Sequence, residues 1–177
     1  DEDWFVARPL LQALEGVACP LVLDVATGTG RLPLALLRGH FSGQIVGLDL
    51  SRGMLRQAHS KLRPYGERVA LLWQDASHLP FAEDAFDAVT CLESLEFMPR
   101  PQETLAEMAR VLAPGGALML TNRVGHEARL LPGRAIPRTA LSEELSRHGL
   151  RDVEVWRWQV NYDLALARKD GARATTG

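Results

Sequence analysis

Residues 22–30 read Val22-Leu23-Asp24-Val25-Ala26-Thr27-Gly28-Thr29-Gly30, and this junction constrains the fold more than any other stretch. A short run of Val and Leu reads as a strand buried on both faces, the situation of a parallel sheet. It stops at a turn of small residues, where Gly28 and Gly30 let the backbone approach a ligand with no Cβ in the way. Residues 31–38 then read as a helix, with Pro33 in its first turn and Gly39 just past its end. A second apolar run, 44–49, ends in the carboxylate of Asp49. That group can accept hydrogen bonds from the two neighbouring hydroxyls of a ribose. The pattern is a nucleoside-binding βαβ unit.

The same residues narrow the choice of nucleoside. A dinucleotide fingerprint needs Gly-x-Gly-x-x-Gly, and Pro33 stands where its third glycine belongs. Asp24 would repel a pyrophosphate but suits a cationic amine. S-adenosylmethionine carries an amine, a sulfonium and a ribose, and no phosphate. The run resembles motif I of the class I S-adenosylmethionine-dependent methyltransferases, Asp-x-Gly-x-Gly-x-Gly. Ala26 replaces the first glycine, a small substitution also found among methyltransferases of quinone biosynthesis. Gly-x-Gly alone is weak evidence, and the bland alternative is a strand–turn–helix that binds nothing. Two acids at these spacings make the match specific.

Further segments extend the resemblance in the family's order. Asp49-Leu50-Ser51-Arg52-Gly53-Met54-Leu55 is similar to Asp-x-Ser-x-x-Met-Leu, with Ser51 a natural N-cap above apolar Met54, Leu55, Ala58 and Leu62. Residues 69–73 read as a third strand, followed by Asp75-Ala76 and Leu79-Pro80-Phe81, similar to the family's Asp-Ala-x-x-Leu-Pro-Phe. The resemblance implies that Asp75 takes the adenine amino group, while Leu50 and Ala76 flank the ring. Residues 86–91 look like the fourth strand. Pro101 suits the start of a helix whose Leu105, Met108, Ala109 and Leu112 share one face. Pro114-Gly115-Gly116 leads into a fifth strand at 116–122. Asp84, Asp87, Gly115 and Gly116 read as structural. The specific motifs cover about residues 20–122.

The implied architecture is α/β, a doubly wound seven-stranded sheet of the Rossmann-like methyltransferase type with its last strand antiparallel. The last two strands fall at 152–157 and 159–168, a hairpin with Trp156 and Trp158 near its turn. A helix over about 139–148, closed by Gly149, precedes them. A helix over 4–14 opens the chain, started or kinked by Pro9. There, Trp4 and Phe5 either cover the cofactor cleft or simply dock on the core. Residues 1–170 are expected to form a single methyltransferase domain, and 171–177 a flexible tail. The 177-residue chain, 46% apolar, has the material for one core. It opens on Asp1 instead of methionine, leaving residues upstream an open matter.

Several function classes fall away on composition. A net charge of −2 with interspersed signs predicts no nucleic-acid surface. No apolar run is long enough to span a bilayer. Cys19 and Cys91 have neither metal spacing nor a disulfide framework, so reduced thiols in a cytoplasmic protein are expected. No metal-ligand cluster stands out. The resemblance makes S-adenosyl-L-methionine the cofactor and a small molecule the methyl acceptor. Its candidate contacts are Asp24, Ala26, Thr27, Gly28, Gly30, Asp49, Leu50, Met54, Asp75, Ala76 and Cys91, which converge at the carboxyl ends of the strands.

The catalytic group is less legible. The family often places acceptor-facing groups after strand four, here residues 92–97, where Glu93 can accept a proton with Ser94 beside it. The alternative puts Glu93 and Glu96 on the solvated first turn of a short helix, complementing its dipole. His126, on a loop after strand five, is a second candidate base, or plain surface. Residues 123–138 hold Arg123, Arg129, Arg134 and Arg138 against one acid, Glu127. They form either a rim for an anionic acceptor or a solvated loop. Two other classes stay open: a non-catalytic S-adenosylmethionine-binding sensor or subunit, and a nicotinamide-dependent dehydrogenase, which Pro33 and Asp24 disfavour.

Overall fold

A computed structural model describes residues 2–130 and 136–172. Along the chain run α1 (Glu2–Ala13), β1 (Leu21–Val25), α2 (Arg31–Arg38), β2 (Gln44–Asp49), α3 (Arg52–Leu62), β3 (Val69–Trp73) and β4 (Phe86–Cys91). Then follow α4 (Pro101–Val111), β5 (Leu112–Arg123), α5 (Arg138–Arg147), β6 (Leu150–Gln159) and β7 (Tyr162–Lys169). The strands form one seven-stranded sheet in the order β3-β2-β1-β4-β5-β7-β6. β1 to β5 pair in parallel, while β7 runs antiparallel to both β5 and β6.

Alternation along each strand sends side chains to both faces, and both faces are covered. Leu23, Val89 and Leu118 pack with Leu105 and Met108 of α4 and Leu145 of α5. Val22, Ala88 and Met119 pack with Val6 and Leu10 of α1 and Leu36 of α2. This double burial is why β1, β2 and β4 read as continuous apolar runs instead of alternating ones.

Chain order reverses at β1, whose neighbours β2 and β4 leave it in opposite directions. In such a sheet the crevice opens beyond the carboxyl ends of the strands at that point. The register brings Val25, Leu48 and Cys91 level, and Asp49 level with Trp73. The segments after β1, β2, β3 and β4 therefore share one edge of the sheet.

Several element boundaries differ from the sequence expectation, most of all around β5 and the final hairpin. β5 begins at Leu112 because that residue already pairs with Phe86. The register then slips, and Ala117 pairs with Ala88. The Pro114-Gly115-Gly116 turn is thus a bulge within the element, with Gly115 at φ +71°. The final hairpin turns later than expected: Trp158 and Gln159 finish β6, Gln159 pairs with Tyr162, and Val160 stands exposed at the tip. Pro9 lies inside α1, whose buried Val6, Ala7 and Leu10 seat it on the core. Trp4 docks on the end of α2, where a Cβ on Gly39 would meet its ring at 2.7 Å. Among the described residues no helix is long and apolar enough to cross a membrane.

Candidate active site

Asp24 anchors the site from within the sheet. It lies opposite Thr90 in the β1–β4 register and is 3% exposed. Thr90 Oγ1 donates to one carboxylate oxygen at 2.6 Å and Thr27 Oγ1 to the other at 2.7 Å. Burial pushes its carboxyl up to about 6, against the opposing pull of the Thr90 and Thr27 hydroxyls, with a further push from the charge of Asp49. A buried acid poised this high is the kind of group that functional clefts arrange.

The turn above it divides its small residues between two tasks. Ala26 and Gly28 both have φ +56°, in the left-handed region. A Cβ on Gly28 would meet nothing nearer than the Ala26 carbonyl at 4.0 Å, because Gly28 faces open space. Gly30, at φ +77°, faces inward: a Cβ there would meet Leu62 Cδ1 at 2.8 Å and Ala58 Cβ at 3.3 Å. Gly30 therefore lets α2 pack against α3 and does not line the cavity, correcting the expectation that both glycines admit a ligand. Asp49 ties the turn to β2. It accepts from Gly28 N at 2.9 Å and from Ser51 N at 2.7 Å, while Ser51 caps α3 by accepting from Met54 N at 3.3 Å.

Two connected lobes open along this edge and share Ala26, Gly28, Met54 and Ser94. The first, about 340 Å³, is walled by Asp24, Thr27, Arg31 and Glu93, with Val6 of α1 at its side. The second, about 410 Å³, is walled by Asp49, Leu50, Asp75, Ala76, Phe97 and Met98. Hydrogen bonds from Ser77 hold the Asp75 carboxyl below the usual carboxylate range. Leu50 is 64% exposed at the mouth, held by Trp73 Nε1 donating to its carbonyl at 2.9 Å. Arg52 in turn stacks 3.8 Å from the Trp73 ring centroid.

Two of the other three candidates stand apart from these lobes. Cys91 is buried in the core and lines neither; burial drives its thiol up, so it stays protonated. His126 is exposed in the turn after β5 and lines neither. Glu93 does line the first lobe, but not on a solvated helical turn as the alternative had it. It sits at φ +52° before the single turn Leu95–Phe97, its N–H donating to Thr121 Oγ1 at 2.6 Å. Glu96, paired with it in that alternative, is 2% exposed and accepts from the Tyr162 hydroxyl at 2.5 Å.

The arginine rim also resolves differently. Arg123 donates to the Tyr162 hydroxyl at 2.8 Å and pairs with Glu96 at 3.5 Å. Arg138 pairs at 3.2 Å with Asp163, which is completely buried. Both neutralise buried acids instead of facing an acceptor. Arg134 lies outside the described residues, as does the side chain of Arg129.

Comparison with known proteins decides what family this geometry belongs to. The family described as methyltransferase domain matches residues 22–116, the span from β1 into β5. The chain belongs to the methyltransferase domain family. It is 38% identical over 121 residues to the methyltransferase GfsG of Streptomyces halstedii, covering 67% of this chain and 43% of that one. It is 37% identical over 120 residues to the ubiquinone/menaquinone biosynthesis C-methyltransferase UbiE of Syntrophotalea carbinolica, covering 68% and 50%. The chain thus spans about half the length of the curated relatives it matches. Among solved structures, the YcgJ protein of Bacillus subtilis superimposes with a TM-score of 0.78 at 17% identity, covering 95% of this chain and 99% of that one. That likeness bears on the fold alone.

Three contributors to this candidate site went unread in the sequence. Thr90 becomes a partner of Asp24 only through the β1–β4 register, 66 residues away. Trp73 reads as a strand residue, and nothing local reveals its hold on Leu50. Arg31 had a readable signal, a cation directly after the glycine turn.

Proposed function

We propose that this chain binds S-adenosyl-L-methionine in the two-lobed trough and transfers its methyl group to a small-molecule acceptor. The observation that carries the reading is the donor set. Asp24, Asp49 and Asp75 project from the ends of β1, β2 and β3 around the opening that Gly28 leaves without a side chain. Asp24 suits the ammonium, Asp49 the ribose hydroxyls and Asp75 the adenine amino group, with Leu50, Met54 and Ala76 against the ring. When bound, the sulfonium supplies an activated methyl group and departs as a neutral thioether.

The chain's own contribution is to fix positions and exclude water. Asp49 holds the turn through Gly28 N and α3 through Ser51 N while keeping lone pairs for ligand hydroxyls. Glu93, on the wall of the first lobe, accepts the acceptor's proton where the acceptor has one to lose. The relatives GfsG and UbiE, by their names, support the reaction class. We place the domain, residues 1–170, in the cytoplasm with Cys19 and Cys91 as reduced thiols and with no nucleic-acid partner.

A thermal-shift comparison tests this reading. S-adenosylhomocysteine at 100 times its dissociation constant raises stability by about 2.7 kcal/mol, and NAD leaves the melting temperature unchanged. Stabilisation by NAD alone overturns the assignment in favour of a dehydrogenase. Binding without turnover across an acceptor panel favours a sensor or subunit.

A further inference from the structure

Arg31 and Glu93 face each other across the first lobe. Arg31 opens α2, directly after the glycine turn, and Glu93 follows β4. Arg31 Nη1 lies 3.5 Å from Glu93 Oε1, with the two side chains 50% and 33% exposed. An ion pair this open to solvent contributes only about 0–1 kcal/mol. Glu93 is nevertheless held in place by its left-handed backbone and the bond to Thr121. Among the described residues lining this lobe, Arg31 is the only cation, and Asp24 is the buried acid.

A lobe with one buried carboxylate and one guanidinium matches the two charges of a zwitterionic amino-acid group. The ammonium goes to Asp24, and the carboxylate goes to Arg31, whose planar fork receives carboxylates in bidentate fashion. We propose that Arg31 is the receptor for the carboxylate of the cofactor's amino-acid end and that its pair with Glu93 is a latch. This rests on the cofactor reading above. The incoming carboxylate takes Arg31 and releases Glu93. The methyl donor thus shifts Glu93 from its pair with Arg31 towards the free proton acceptor, a several-fold bias at most for a pair this exposed.

The latch makes a prediction that a merely structural ion pair does not. Calorimetric titration compares S-adenosylhomocysteine with its decarboxylated analogue, which keeps the ammonium and lacks the carboxylate. The wild type binds the first about tenfold more tightly. Arg31→Gln loses about tenfold for S-adenosylhomocysteine and little for the analogue, so the preference collapses; Arg31→Lys, which keeps the charge but not the fork, falls between. Glu93→Gln tightens S-adenosylhomocysteine binding several-fold in the wild-type background and has no effect beside Arg31→Gln. A preference retained in a folded Arg31→Gln protein overturns the receptor, and unchanged affinity in Glu93→Gln overturns the latch. A wild type that binds neither ligand removes the cofactor reading itself, and this inference with it.

Discussion

Asp24 is a single carboxylate asked to be neutral in one state and ionised in another. Its carboxyl stands at about 6 where an exposed aspartate titrates near 3.8. The folded protein therefore holds the proton more tightly than the unfolded chain does. The resulting stabilisation is complete below about pH 4 and is lost as pH rises through about 6, a difference of about 3 kcal/mol. Binding runs the other way, because an ammonium is held by the ionised form. Affinity for S-adenosylhomocysteine should be flat above pH 7 and weaken towards tenfold per unit below 6. Asp24→Asn should abolish both dependences, as denaturation and calorimetry between pH 5 and 8 will register. A wild-type affinity that strengthens below pH 6 contradicts this role.

Gly28 and Gly30 separate two reasons for a glycine within one turn. Gly28→Val strains a left-handed backbone, costing about 1–3 kcal/mol, and fills the opening between the lobes, so binding is lost. Gly30→Ala strains the backbone similarly and also drives a methyl into Leu62 and Ala58. Its larger loss should fall on stability, while the folded fraction still binds. Chemical denaturation beside calorimetry distinguishes the two. Equal binding losses in both variants would show that Gly30 touches the ligand after all.

At the scale of elements, the turn after β4 is fastened across β5 to β7, the antiparallel strand beside it. Glu96, in that turn, receives the hydroxyl of Tyr162 at the start of β7, and Arg123 at the end of β5 lies beside both. Burial and the Glu96 carboxylate raise the Tyr162 phenol, so it stays a donor at neutral pH. Tyr162→Phe removes that donor from a buried acid and should cost about 1–3 kcal/mol in denaturant unfolding. An unchanged midpoint would mean that Arg123 alone satisfies Glu96. This fastening was not legible in the sequence, where Glu96 and Tyr162 sit 66 residues apart and a Glu near a short helix reads as solvated. Strands β1, β2 and β4 were legible because burial on both faces writes a largely apolar run, and the edge strand β3, though only partly buried, is as apolar in sequence. β6 and β7 were legible as strands but not in their turn, since Val160-Asn161 carries no glycine or proline to mark it.

For the whole molecule, function follows from where one sheet reverses its order. Three acids far apart in sequence reach a common edge because β1, β2 and β3 are parallel and in register there. The three acids at this edge could be read from the chain, since each sits in its own local motif. The partners of Arg123 and Arg138 could not: these arginines answer to Glu96 and Asp163, whose burial depends on the packing of the finished fold. On the proposed reading, this edge binds S-adenosylmethionine with Asp49 on the ribose. Calorimetric titration of S-adenosylhomocysteine into the wild type and Asp49→Ala tests it most directly. Saturable binding to one site in the wild type, weakened by about 1.5–3 kcal/mol in a folded Asp49→Ala protein, is the predicted result. Equal affinity in the two proteins, or none in the wild type, would contradict it.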